Sequence, residues 1–64
     1  PGCEQLPHQM FSGQMKHVSH TTLGTSVAFN IWWQTSYREE KIFKVEVLSD
    51  PDGKRICWAR DLDS

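Results

Sequence analysis

Two stretches of the chain alternate apolar and polar residues at period two. From Ser26 to Gln34, Val27, Phe29, Ile31 and Trp33 fall on one side, and Ser26, Ala28, Asn30, Trp32 and Gln34 on the other. This is the signature of a strand with one buried face. From Lys41 to Leu48, Phe43, Val45 and Val47 oppose Lys44 and Glu46, in β-branched and aromatic residues that fit a pleated surface. Thr35 to Glu40 between them is polar, with Tyr37 its only large apolar side chain, and reads as a connecting loop.

Asp50-Pro51-Asp52-Gly53 is the clearest local signal. Proline pre-sets the first central dihedral of a turn, the aspartates bond nearby amides, and glycine accepts a positive φ. A third strand, Lys54 to Arg60, then follows as the second arm of a hairpin, with Ile56 and Trp58 on one face and Cys57 and Ala59 on the other. Ile56 and Trp58 are expected to pack beside Val45 and Val47 as cross-strand neighbours. The first 25 residues are less ordered in pattern. Phe11, Met15 and Val18 have helical spacing and Pro7 suits a first helical position, but Gly13 interrupts and Thr21, Thr22 and Gly24 end the run. One or two irregular strands are the expectation there, with a short helix as the alternative. The fold expected is a single all-β domain over residues 1–64, a small antiparallel sheet or β-sandwich, or α+β if the N-terminal helix forms.

Length makes the cysteines matter. A chain of 64 residues buries only about 60% of its unfolded surface and has one small core. Cys3 and Cys57 are the only cysteines. An even count in so short a chain is what an oxidising compartment selects. Closing a loop of about 55 residues would stabilise by about 4 kcal/mol in the chain-entropy model. Two buried, reduced cysteines are the other reading. The start at Pro1 rather than Met fits a secreted protein after signal-peptide removal, unless Pro1-Gly2 is a cloning remnant. Three Trp, three Phe and one Tyr are too many aromatics for a disordered chain. The longest apolar run, Ile31-Trp32-Trp33, falls far short of the roughly 20 residues that span a bilayer. With a net charge of −1 no global field attracts nucleic acid, and nucleic acid is not expected as a partner.

Little of the sequence suggests catalysis. His17 and His20, with His8 and Cys3 upstream, invite a metal reading. Positions three apart in a strand point to opposite faces, however, so the pair converges only on a helix. No metal or cofactor is assigned. The histidines with Glu39, Glu40 and Lys41 can be assembled on paper into acid-base chemistry, but no spacing singles out a pair. Ser12, Ser19 and Thr25 lack a nucleophile motif, and there is no phosphate-binding glycine loop. The expectation is a non-enzymatic binding protein.

Adjacent Trp32 and Trp33 must point to opposite faces of their strand. Trp33 shares parity with the apolar set, so Trp32 is the candidate exposed anchor unless the N-terminal segment folds over it. Tyr37, Arg38, Lys41 and Lys44 are the other candidate binding residues. Arg38, Lys41 and Lys44 make a basic strip that either is solvated or rims an aromatic contact, steering a partner more than adding affinity. Lys41 and Lys44 fall on opposite faces unless the strand begins after Lys41.

The run Leu23-Gly24-Thr25-Ser26-Val27-Ala28-Phe29, then Ile42-Phe43-Lys44-Val45-Glu46-Val47, with an early cysteine and one in a late strand, resembles the fungal MAX effectors, small secreted host-targeting proteins. The likeness spans residues 23 to 60. It implies a six-stranded β-sandwich without enzyme activity that binds host proteins, in some members through an exposed strand edge, with Cys3 and Cys57 paired. Two other readings stay open: a secreted protease inhibitor or toxin displaying the Gln34 to Glu40 loop, and a small histidine-based or metal-dependent hydrolase.

Overall fold

The computed structural model describes residues 3–23, 26–49 and 51–62. The described residues open with a 3-10 turn, Cys3–Gln5, that runs into a short helix α1, Leu6–Met10. Four strands follow: β1 (Gly13–Leu23), β2 (Ser26–Thr35), β3 (Glu40–Ser49) and β4 (Arg55–Asp61). They form one antiparallel sheet in the order β1-β2-β3-β4. The fold is thus a single small sheet with a helical segment on one face, where the MAX resemblance implies six strands in two layers. The 10-residue strands β2 and β3 are long for so short a chain and take up the residues that two further strands would need.

The N-terminal 25 residues contain both of the alternatives expected of them. Pro7 sits in the first turn of α1, where its missing N–H costs no hydrogen bond. Beyond it β1 pairs along the whole of β2, with one irregularity between Met15 and His17. This is a β-bulge at Lys16, and it explains the helical spacing of the sequence. Met15 stands opposite Trp33 and Val18 opposite Ile31, so residues three apart share a face because one extra residue has been inserted between them.

The core lies between α1 and the sheet face that carries Trp33, Ile31, Phe43 and Val45, with Cys3 and Pro7 buried from above. Leu6, Phe11, Met15, Val18, Cys57 and Ala59 pack around it. Full burial of such side chains contributes about 1.5–3 kcal/mol each. The disulfide between Cys3 and Cys57, whose Cα atoms are 5.7 Å apart, therefore weighs as much as about two core residues.

The β3–β4 hairpin has a different facing from the one expected. Ser49 pairs with Arg55, Val47 with Cys57 and Val45 with Ala59, so Cys57 and Ala59, not Ile56 and Trp58, lie beside the core valines. Cys57 has to face the helical segment to meet Cys3, and period two then turns Ile56 and Trp58 to the opposite face. Pro51 and Asp52 form the turn and Gly53 has φ +83, the left-handed conformation for which glycine is suited. Asp50, like Gly24, Thr25 and the Pro1-Gly2 start, lies outside the described residues.

Candidate functional site

The two tryptophans separate as strand geometry demands. Trp33 is 1% exposed, with the His8 ring packed edge-on at 4.5 Å between centroids. The N-terminal segment therefore covers Trp33 and not Trp32. Trp32 is half-buried on the outer face of the sheet, where the bulge at Lys16 brings His17 opposite it with ring centroids 5.0 Å apart. Its other neighbour across the ladder is Ile42.

That outer face carries no helix or second sheet among the described residues. A groove of about 580 Å³ crosses it, lined by Thr21, Ala28, Asn30, Lys44, Arg60 and Leu62 among others. Lys44 lies 3.4 Å from Glu46, so the groove holds one internally compensated pair and the guanidinium of Arg60. Apolar side chains lie on the outer face to either side of this polar row. Leu48, Ile56 and Trp58 cluster toward the β3–β4 turn, with Trp58 60% exposed. Trp32, Ile42 and Leu62 occupy the other side, where the Leu62 N–H donates to the Ile42 carbonyl.

The five candidate binding residues do not form one cluster. Trp32 and Lys44 share the outer face, since their partners Ile42 and Asn30 are neighbours in the same ladder. Tyr37 and Arg38 sit at the tip of the β2–β3 connection, Tyr37 85% exposed and Arg38 at φ +64. This tip is held by Thr35, whose N–H donates to the Glu39 carbonyl and whose carbonyl accepts from Arg38 N–H. Its Oγ1 also accepts from the Glu39 amide. Because β3 begins at Glu40, Lys41 falls on the inner face. There its Nζ lies 3.4 Å from Asp61 and 4.9 Å from the centre of the Phe11 ring. Lys41 thus clamps Phe11 and β4 together and is part of the scaffold, and the basic strip of Arg38, Lys41 and Lys44 is not assembled.

The histidines also diverge. His17 packs on Trp32 outside and His20 on Phe29 inside, with ring centroids 5.9 Å apart, while His8 lies against Trp33. Among the described residues no three His, Cys, Asp or Glu side chains come together as a metal site, and no helix is long and apolar enough to cross a membrane.

Ile56 and Trp58, expected beside the core valines, thus join Arg60 and Leu62 on the outer face, where the sequence pattern marked no site. The signal was available in Cys57. Once a disulfide to the N-terminal segment is assumed, the odd-numbered residues of the last strand face the core and the even-numbered ones face out. No protein-family model, curated protein or solved structure matches this chain.

Proposed function

We propose that the chain is a secreted, non-enzymatic binding protein that holds a partner protein across the outer face of its sheet, in the manner of a pathogen effector engaging a host protein. The observation that carries this reading is the uncovered outer face itself. It presents two aromatic anchors, Trp32 and Trp58, on either side of a polar row of Asn30, Lys44 and Arg60. Buried aromatic and arginine anchors within a polar surround are the usual energetic centres of protein interfaces. Secretion is supported by the Cys3–Cys57 disulfide, a bond that persists in oxidising compartments. The β4 edge adds to the surface, since β4 pairs along one side only and an extended segment can add a strand there.

The test is an unbiased pull-down with the oxidised protein, comparing wild type with Trp32→Ala and Lys44→Glu. Both variants should remain folded by circular dichroism and lose the captured protein. A partner retained undiminished by both variants would show that the outer face is not the binding surface.

The inhibitor reading has one observation of its own. Tyr37 and Arg38 project from a short tip tied at both ends by hydrogen bonds to Thr35, and a preorganised exposed loop is what a protease inhibitor presents. Resistance of the Arg38–Glu39 bond to trypsin in the native protein, together with inhibition of that enzyme lost in Tyr37→Ala, would favour it over the sheet-face reading.

A further inference from the structure

The two edges of the sheet are protected differently. β1 carries a bulge at Lys16, and a bulge with a lysine is a common device for keeping an edge from adding another strand. β4 pairs residue for residue with β3 without irregularity from Arg55 to Asp61, and it exposes Ile56 at 48% and Trp58 at 60%. The helical segment starts over β4 at Cys3 and runs inward toward Trp33, which meets His8. It touches β4 from the inner face through both the 3-10 turn and α1, and among the described residues no backbone hydrogen bond joins it to β4.

The backbone shows which groups the edge offers. Leu62 N–H donates to Ile42 carbonyl, and 62 and 42 continue the register in which Lys44 faces Arg60 and Glu46 faces Trp58. In an antiparallel ladder such pairs alternate. The even residues of β4 thus point their amides and carbonyls at β3, and the odd residues Arg55, Cys57 and Ala59 point theirs outward. The other side of β3 agrees, since Thr35 N–H donates to Glu39 carbonyl, in the register that pairs the odd residues of β3 with β2.

We infer that β4 pairs with β4 of a second copy of this chain, antiparallel about a two-fold axis at Trp58, to make one continuous eight-stranded sheet. The sequence Arg55-Ile56-Cys57-Trp58-Ala59-Arg60-Asp61 is complementary to its own reverse in this register. Cys57 faces Ala59 of the partner subunit as the hydrogen-bonded pair. Trp58 faces the partner's Trp58 at the closer, non-hydrogen-bonded spacing, where side chains touch. Arg60 lies diagonal to the partner's Trp58, a cation beside an aromatic face. At the ends, Arg55 stands opposite the partner's Asp61, a carboxylate that its own Lys41 also holds. Sliding one step toward the turn would instead set Lys54 against the partner's Arg60, with like charges opposed. The interface is isologous, as closed dimers require. It is also small, so the dimer is weak and concentration-dependent.

Sedimentation equilibrium of the oxidised protein over a wide concentration range tests this, with amide hydrogen exchange at both ends of that range. Wild type should pass from monomer to dimer as concentration rises. Its Cys57 and Ala59 amides should gain protection on the way, while the Ile56 and Trp58 amides stay protected throughout. Trp58→Lys, which sets like charges face to face on the axis at an exposed site, should remain monomeric with an unchanged melting curve, and Arg55→Asp should weaken the dimer at least several-fold. A monomer at every concentration, a dimer undiminished by Trp58→Lys, or protection gained on β1 instead of β4 would each overturn the inference. None of these readouts depends on whether a heterologous partner binds the outer face.

Discussion

Gly13 stands directly against Trp33. A β-carbon at position 13 would lie 2.7 Å from the indole nitrogen and closer still to the Gln34 carbonyl oxygen, and the backbone there has φ +146. Both facts demand glycine, one through space and the other through conformation. Gly13→Ala is expected to destabilise the fold by more than about 2 kcal/mol, measured as a lowered urea midpoint. It should also redden the Trp33 emission as water reaches the ring. A variant as stable as wild type would show that the entry to β1 is not packed this way.

The staple is predicted to decide whether the domain is folded at all. Its chain-entropy contribution of about 4 kcal/mol compares with a total stability of roughly 3–10 kcal/mol for a chain of this length. The double variant Cys3→Ala/Cys57→Ala should lose most of its near-ultraviolet dichroism at 37 °C, or melt far below wild type. Intact mass with and without reduction gives the pairing directly, as a gain of two hydrogens on reduction.

The three tryptophans should report three environments. Trp33 is buried, Trp32 half-buried and Trp58 largely exposed, so acrylamide quenching of single-tryptophan variants should increase in that order. Trp33→Ala is expected to cost about 3–5 kcal/mol, and Trp58→Ala less than about 0.5 kcal/mol. Trp33→Phe is the finer probe. The Trp33 indole N–H has no hydrogen-bond partner among the described residues, so the phenyl ring removes an unsatisfied buried donor as well as volume. The two effects oppose each other and should leave a change within about 1 kcal/mol.

Lys41 and Asp61 form a partly buried pair, with side chains 20% and 11% exposed. Removing one partner leaves the other in a poorly solvated position. Asp61→Asn should cost about 1–2 kcal/mol, between the values typical of surface and of buried pairs. Raising salt should change the wild-type midpoint much less than Asp61→Asn does, because the pair is shielded from counterions.

The middle of the fold was legible because burial on one face wrote itself into the sequence. Val27, Phe29, Ile31 and Trp33, then Phe43, Val45 and Val47, alternate as they do because their faces meet the core. β1 was not legible because it is an edge strand in which most residues at both inward and outward positions are polar, and because the bulge at Lys16 breaks its period just where Met15 and Val18 would have shown it. The facing of β4 was misread for a different reason. Ile56 and Trp58 are its largest apolar residues, and size suggests burial, yet Cys57 and small Ala59 lie inside because the helical segment and the disulfide take up the space above them. Of the candidate site, Trp32 was legible from its adjacency to Trp33. Lys41 was not, because the carboxylate it meets and the ring it covers are brought to it by β4 and the N-terminal segment.

The order β1-β2-β3-β4 means that every strand pairs with its neighbour in sequence, and local hairpins of this kind close within about 1–10 μs. The helical segment differs, because Cys3 meets a residue 54 positions further along the chain. During synthesis, then, the lid of the core emerges before the sheet it covers and must wait, with the Trp33 face uncovered and the Cys3 thiol unmatched, until β4 arrives. That interval, rather than the pairing of the strands, is when this chain is most exposed to aggregation and to wrong disulfide partners.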